Sequence, residues 1–331
     1  MNTQHLTKIC NTFSLGQPLG EALRVVGGLL HRMWKINTTS GMYAVKELSA
    51  DQIQDEAVKR HYEWTEEVAA RFAEQGLPAI AALKSQGKHL LEIEGAYFLV
   101  YPWVEGIVID SKCISQVHAL KIAEVLAQIH CTHLVGLSMA KLPEMLYTAE
   151  QLQAIFKKAE AFRCPFAADL RAHEPDLLAM QEAHARSIAP LKQHEVLTHG
   201  DLDQKNVLWT QAKQPILIDW EAASLINPTY DLINTALNWS GIITAQFDQD
   251  LFLQMIRRYQ HAGGVIDKKL LPSALDGAYS WINWMVYNIE RACTPAESEQ
   301  KTIGIAQVGQ TLAALLRLKR YQPCLLAALC D

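Results

Sequence analysis

From residue 20 to about 104, apolar residues come in short runs broken by turn signals. "LRVVGG", "MWKINT" and "MYAVKEL" are rich in Val, Ile, Tyr and Trp, which predicts strands. "NTTSG", between the second and third, predicts a hairpin turn. A strand over the third run turns Ala44 and Lys46 to one face and Tyr43 and Val45 to the other. From Asp51 to Gln75 the pattern is helical, with Asp51 as N-cap and Gly76 as stop. "AIAALKS" and "AYFLVYPWV", separated by "GKHLLEIEGA", predict two further antiparallel strands, and Glu105-Gly106 ends this part.

Beyond it the period lengthens. In "ISQVHALKIAEVLAQIH", Val117, Leu120, Ile122, Val125, Leu126 and Ile129 recur at helical spacing. Residues 144–192 predict helices with breaks at Pro165 and Pro175. Three short β runs follow, "EVLTH", "NVLW" and "PILIDW", and from Pro228 to the end the chain is helical again. The expected class is α+β: a small antiparallel-sheet lobe over 1–104 and a larger, mainly helical lobe over 105–331, joined by a hinge at about 101–106.

Size agrees with two lobes, because 331 residues exceed what one core usually serves. The 30 basic and 35 acidic residues give a net charge of −5 with no basic face, so nucleic acid is not an expected partner. Seven cysteines without a Cys-x-x-Cys or Cys/His cluster predict reduced thiols in a cytoplasmic protein. "MNTQHLTKIC" lacks the basic start and apolar block of a signal peptide. No uncharged apolar run reaches membrane-spanning length, so no membrane partner is expected either. The oligomeric state stays open.

One stretch breaks the hydrophobic pattern. "VLTHGDLDQKNVLW", residues 196–209, sets His199, Asp201, Asp203, Lys205 and Asn206 between two strand-like flanks. Asn206 follows Asp201 by five residues, and Asp219 ends the apolar run "PILI" thirteen residues later. Phosphoryl transfer calls for these residue types. A carboxylate beside the acceptor hydroxyl orients it and takes its proton. An amide oxygen and a second carboxylate suit magnesium, which favours hard oxygen ligands. Protein-kinase catalytic loops divide the labour in this way. Each residue alone reads as a turn former or strand start; their joint spacing carries the functional reading.

"THGDLDQKNVLW" with "LIDWEAASLINPTYDL" resembles the aminoglycoside phosphotransferase and choline kinase-like family, small-molecule kinases with a protein-kinase-like two-lobe fold. The resemblance runs over roughly residues 20–320 and is strongest at 196–234. It implies that Asp201 is the catalytic aspartate and that Asn206 and Asp219 are Mg2+ ligands. It also implies that His199 braces the loop and that Asp231 supports it from the following helix. Between Asp201 and Asn206 the family commonly carries a His-Pro-Gly type of segment, and here Leu-Asp-Gln-Lys stands instead. Asp203 thus adds a second carboxylate near the site, and Lys205 either reaches phosphate or faces solvent.

Such a kinase needs an ATP cradle in its β lobe. Lys46 matches the strand-borne lysine that pairs with the α- and β-phosphates. Its acidic partner is expected on the helix 51–75: Glu66 shares a stripe with Tyr62, Ala69 and Ala73, and Glu63 is the alternative. Gly27 and Gly28 lie where a phosphate-covering loop belongs, with His31 or Arg32 beside phosphate. "LVYPWVEG" falls at the hinge, where backbone groups from Tyr101 through Trp103 to Val104 would bond the adenine edge.

For the acceptor, Trp281, Trp284, Asn288 and Arg291 fall near one helical face and either line a pocket or pack a core. Glu221 is a further candidate there, but no dense acidic run marks a polycation site. Aminoglycosides, choline-like amino alcohols, sugars and nucleosides all stay open. The expectation is an ATP- and Mg2+-dependent kinase acting on a small-molecule hydroxyl. One rival is a protein kinase, although no A-P-E segment follows Asp219 and "DWE" replaces D-F-G. The other is a non-catalytic nucleotide-binding regulatory module, which the intact Lys46, Asp201, Asn206 and Asp219 oppose.

Overall fold

The computed structural model describes residues 1–25, 31–50, 53, 55–137, 145–294 and 298–330. The first elements are α1 (Thr3–Thr12), β1 (Leu23–Val25), β2 (Arg32–Thr38), β3 (Gly41–Glu47), α2 (Glu56–Glu74), β4 (Leu91–Ile93), β5 (Ala96–Pro102) and β6 (Ile107–Val108). Four helices follow: α3 (Gln116–Cys131), α4 (Ala149–Ala161), α5 (Ala167–Ala172) and α6 (Glu174–Leu191). Then come the short strands β7 (Val196–Thr198), β8 (Val207–Trp209), β9 (Pro215–Leu217) and β10 (Ser224–Ile226). The helices α7 (Pro228–Trp239), α8 (Gln249–His261), α9 (Leu271–Gly277), α10 (Trp281–Ala292) and α11 (Glu299–Cys330) complete the order.

Contacts divide the chain into two compact units. Unit 1 is Met1–Val108, Thr132–Ala140 and His199–Ala223; unit 2 is Ile109–Cys131, Lys141–Thr198 and Ser224–Asp331. A single boundary at 104/105 does not describe this division, because the segment 199–223 groups with the N-terminal residues.

Unit 1 is built on a five-stranded antiparallel sheet in the order β1-β2-β3-β5-β4. Its two faces follow from strand alternation. Phe98 and Val100 of β5 pack with Ile36, Val45 and Ile93, and Leu6, Ile9 and Cys10 of α1 close that cluster. Leu99 and Tyr101 join a separate cluster with Leu48 and with Tyr62 of α2. Lys46 pairs in register with Leu99, which puts it on the α2 side of the sheet. A second sheet, β6-β8-β9, carries the strands on either side of residues 210–214.

Three sequence expectations change. The helix α2 is capped by Asp55, whose side chain accepts from the Ala57 amide, and not by Asp51, which lies outside the described residues. Residues of "AIAALKS" form no strand: Ala79 makes an isolated bridge to Leu217, the Ile80 amide bonds Leu217 and the Leu83 amide bonds Val100. Its hydrogen bonds are split between two neighbours, so no ladder forms, and the strand β4 lies instead inside the supposed separator. The helix α1 was not expected at all. Its sequence is mostly polar, and only Leu6, Ile9 and Cys10 turn inward.

In unit 2, β7 pairs antiparallel with β10, a strand absent from the sequence reading. The runs around the polar motif therefore belong to different sheets. Along α3, Ile122, Val125, Leu126 and Ile129 are buried, while Val117 is 59% exposed. Pro165 separates α4 from α5, and Pro175 lies in the first turn of α6, where its missing amide costs nothing. No helix among the described residues is long and apolar enough to cross a membrane.

Because α1 closes one face of the five-stranded sheet, Ile9→Ala is expected to lower stability by about 2–5 kcal/mol. Urea unfolding followed by tryptophan fluorescence measures it. An unchanged midpoint would mean that α1 does not belong to the core.

Candidate active site

The loop after β7 is shaped by contacts that leave little choice of residue. Gly200 has φ +78, and a Cβ on it would lie 2.1 Å from the Ala222 carbonyl oxygen. The loop therefore approaches the turn 220–222 at a distance only glycine allows. His199 is fully buried. Its Nε2 donates to the Ile218 carbonyl at 3.0 Å and its Nδ1 accepts from the Asp201 amide at 3.3 Å. The ring lies 4.6 Å from that of Trp220. The Ile218 amide in turn donates to the Asn206 carbonyl at 3.0 Å. Ile218 is thus held from both sides, and the next residue, Asp219, adopts φ +64. A left-handed aspartate is uncommon and marks a backbone that its surroundings enforce.

Asp201 Oδ2 accepts from Asn206 Nδ2 and from Lys205 Nζ, each at 2.9 Å. Asn206 is buried, and its Nδ2 also reaches the Asp201 carbonyl at 2.8 Å. With the amide nitrogen so engaged, its oxygen is the end left for a cation. Lys205 also donates to Asp203 Oδ2 at 2.5 Å, and Asp203 Oδ1 accepts the Lys205 amide at 3.0 Å. Burial, with Asp201 alongside, pushes the Asp203 carboxyl up to about 6 against the pull of Lys205. Partial desolvation of this half-exposed ammonium would lower the Lys205 pKa, but the two carboxylates outweigh it and raise it.

Lys46 is 7% exposed. Its ammonium donates to Asp219 Oδ1 at 2.6 Å and to Glu221 Oε2 at 2.8 Å. Burial opposes the charge, and the two carboxylates overcome that and raise the Lys46 pKa. Glu221 is likewise penalised by burial, yet Lys46 and His31 hold it well below the usual carboxylate range. Glu66 does not bond Lys46. Its Oε1 accepts from the Tyr101 hydroxyl at 2.5 Å and its Oε2 from the Ala82 amide at 2.7 Å. Burial pushes the Glu66 carboxyl up to about 7 in spite of these two donors.

The remaining expected residues divide clearly. Gly27 and Gly28 lie outside the described residues. His31 is buried, whereas Arg32 is exposed and faces Glu47 at 3.4 Å. The Trp103 amide donates to the Met42 carbonyl, so it completes the sheet and is not left for an adenine edge. Glu221 belongs with Lys46 and not with the α10 group. On α10, the indole of Trp281 donates to Asn234 of α7 at 2.8 Å and that of Trp284 to Gln307 of α11 at 3.1 Å. Asn288 is fully buried and donates to the Trp284 carbonyl, and Arg291 donates to Gln300 of α11. Each of these four side chains thus bonds a neighbouring helix or α10 itself. In unit 2, Asp231 Oδ2 accepts from Thr198 at 2.7 Å and from His130 Nε2 at 3.0 Å. Thr198 immediately precedes His199 in the chain.

Two oxygen donors, the Asn206 amide and the Asp219 carboxylate, lie at the ends of this network. Among the described residues no three His, Cys, Asp or Glu side chains gather as a metal cage. A pair of protein oxygens fits magnesium, which takes few protein ligands and completes its shell with phosphate and water.

Residues 21–264 match the model of the phosphotransferase enzyme family (APH), and the chain belongs to that family. No curated protein matches the sequence. The fold is similar to that of spectinomycin phosphotransferase in complex with ADP and spectinomycin. That likeness has a TM-score of 0.69 and 13% identity, over 96% of this chain and 99% of that one. A choline kinase from Streptococcus pneumoniae is similar at TM-score 0.56 and 19% identity, over 93% and 99% of the two chains. An aminoglycoside phosphotransferase from Alicyclobacillus acidocaldarius is similar at TM-score 0.55 and 15% identity, over 95% of each. At these identities the likeness shows the fold, an α+β arrangement of the protein-kinase-like class.

Two outcomes are expected from this geometry. Gly200→Ala collides with the Ala222 carbonyl, so its melting temperature falls and turnover is lost; unchanged melting would contradict the close approach. Glu66 keeps its proton in the folded state where the unfolded chain has lost it. Its contribution to stability therefore falls as pH rises from the ordinary 4.5 to about 7, then levels off. Glu66→Gln is expected to flatten that part of the stability profile, measured by urea midpoints across the window. A variant profile parallel to wild type would exclude the assignment.

Proposed function

We propose that this chain transfers the γ-phosphate of ATP, with Mg2+, to a hydroxyl of a small molecule. The observation that supports this most directly is the double hold on Ile218 by His199 and Asn206. It ties the Asp201–Asn206 loop to Asp219, and Asp219 to Lys46, within one unit. The family supports phosphotransfer, and the neighbours' small-molecule acceptors and bound ADP support the substrate class.

In this reading Asp201 faces the acceptor. Its Oδ2 is held by Lys205 and Asn206, which leaves Oδ1 for the acceptor hydroxyl. Asp201 orients that hydroxyl and receives its proton as the oxygen attacks the γ-phosphorus. The bond between the γ-phosphorus and the bridging oxygen breaks, and its electron pair stays on ADP. Lys46 would pair with the α- and β-phosphates, and Asn206 and Asp219 would hold Mg2+, which when bound would supply neutralisation of phosphate charge. Most of the rate enhancement then comes from positioning and charge stabilisation.

The test is a coupled ADP-release screen over aminoglycosides, choline-like amino alcohols, sugars and nucleosides. At least one class should give Mg2+-dependent turnover; none doing so would overturn the reading. On the best acceptor, Asp201→Asn should keep ATP affinity and lose about 10²–10⁴-fold in kcat. Undiminished kcat would remove Asp201 from the role of base.

A further inference from the structure

The acidic residues of α2 are all engaged elsewhere. Glu56 bonds Lys59, Glu67 bonds Lys84, and Glu74 lies 3.5 Å from Arg71. Glu63 accepts the His89 and Leu90 amides, each at 2.9 Å, and Glu66 accepts Tyr101 and Ala82. No carboxylate of the helix therefore hydrogen-bonds Lys46, and Glu66 feels its charge only at longer range, although a directly paired helix carboxylate is what the kinase-like pattern calls for.

Glu221 lies in that place instead, and it is held there by several groups. His61 of α2 donates through Nε2 to the Glu221 carbonyl at 2.8 Å. His31 Nδ1 accepts the Ser49 amide at 3.1 Å, so the neutral ring carries its proton on Nε2. That Nε2 faces Glu221 Oε2 at 3.3 Å and the Tyr62 oxygen at 3.0 Å. The carboxylate so oriented lies 2.8 Å from Lys46 Nζ. Two adjacent residues of α2, His61 and Tyr62, thus reach the lysine through residue 221 and His31.

We propose that Glu221, oriented by His31 and His61, is the positioning carboxylate of Lys46, and that α2 acts on the nucleotide site through it and not through Glu66. The chemistry requires it. Asp219 has two claimants, Lys46 and the metal. Once a metal takes Asp219, Lys46 still needs one fixed carboxylate to keep its direction toward the α- and β-phosphates. Glu221 is the second carboxylate already on its ammonium.

The inference rests on the reading of Lys46 as the phosphate-binding lysine, and the experiment separates the two. ADP is titrated calorimetrically into the full chain with saturating Mg2+, the condition in which the metal claims Asp219 and Glu221 is the carboxylate left on the Lys46 ammonium. Lys46→Ala should weaken ADP about tenfold or more, and Glu221→Gln by a similar factor. Lys46→Ala added to Glu221→Gln should cause little further loss, since the two act as one unit. Glu66→Gln should stay within about threefold of wild type, a change too small for a lost charge-assisted contact. In turnover, Glu221→Gln should raise KM for ATP and leave KM for the acceptor unchanged. Should Glu221→Gln fail to fold, Glu221→Asp keeps the charge but shortens the reach, and is expected to weaken ADP measurably in the same titration. Wild-type ADP affinity in the folded Glu221 variant, beside a weakened Lys46→Ala, overturns the inference. So does a loss for Glu66→Gln equal to that of Lys46→Ala. Wild-type affinity in Lys46→Ala itself overturns the nucleotide reading beneath it.

Discussion

The ammonium of Lys46, buried between the carboxylates of Asp219 and Glu221, is the interaction on which unit 1 depends. A charge removed from water costs several kcal/mol unless partners are held in place. That requirement constrains three separate parts of the chain. β3 must present Lys46 on the face opposite Val45, and it does so by strand alternation. The turn after β9 must bring two carboxylates two residues apart onto one ammonium, and Asp219 takes a left-handed backbone to do it. The helix α2 must hold that turn, through His61 on its main chain and through Tyr62 and His31 toward its side chain.

The turn is also held from the other direction. His199 and Asn206 grip Ile218, Gly200 lets the loop pass against Ala222, and Trp220 stacks 5.2 Å from Phe72 of α2. A shift of Asp219 would therefore disturb the lysine, the loop and the helix together. This coupling explains why residues 199–223 group with the N-terminal segment although they are far along the chain.

What was legible in the sequence is what local spacing encodes. The loop from His199 to Asn206 and the strand alternation at Lys46 each lie within a few residues, and periodicity reads them directly. The partner of Lys46 was not legible. Helical spacing assigned Glu66 to an inward face, and Glu66 is indeed buried. But a buried face holds several donors, and the two that reach Glu66 come from Tyr101 and Ala82, which no spacing rule connects to it. The same limit applies to α10. Its Trp281, Trp284, Asn288 and Arg291 share a helical stripe, yet their hydrogen bonds run to α7, to α11 and back along α10 itself. The helix α1 failed for a different reason: three inward residues in ten are too few to stand out from a polar segment.

The departure between Asp201 and Asn206 finds its physical sense by comparison with the Lys46 site. In both places one lysine is shared by two acidic residues two positions apart: Asp219 and Glu221 on Lys46, Asp201 and Asp203 on Lys205. Two carboxylates so close repel each other, and an ammonium between them removes the repulsion. In each pair the first acid is the one the motif singles out, and the second bonds the same lysine. The pairs differ in burial. Lys46 is almost fully covered, while the Lys205 side chain is 47% exposed. Water and salt compete for Lys205, so its hold on Asp201 is weaker and exchangeable. Under the proposed function, the firm grip fits a lysine kept pointing at phosphate, and the looser one fits a carboxylate that exchanges a proton with the acceptor.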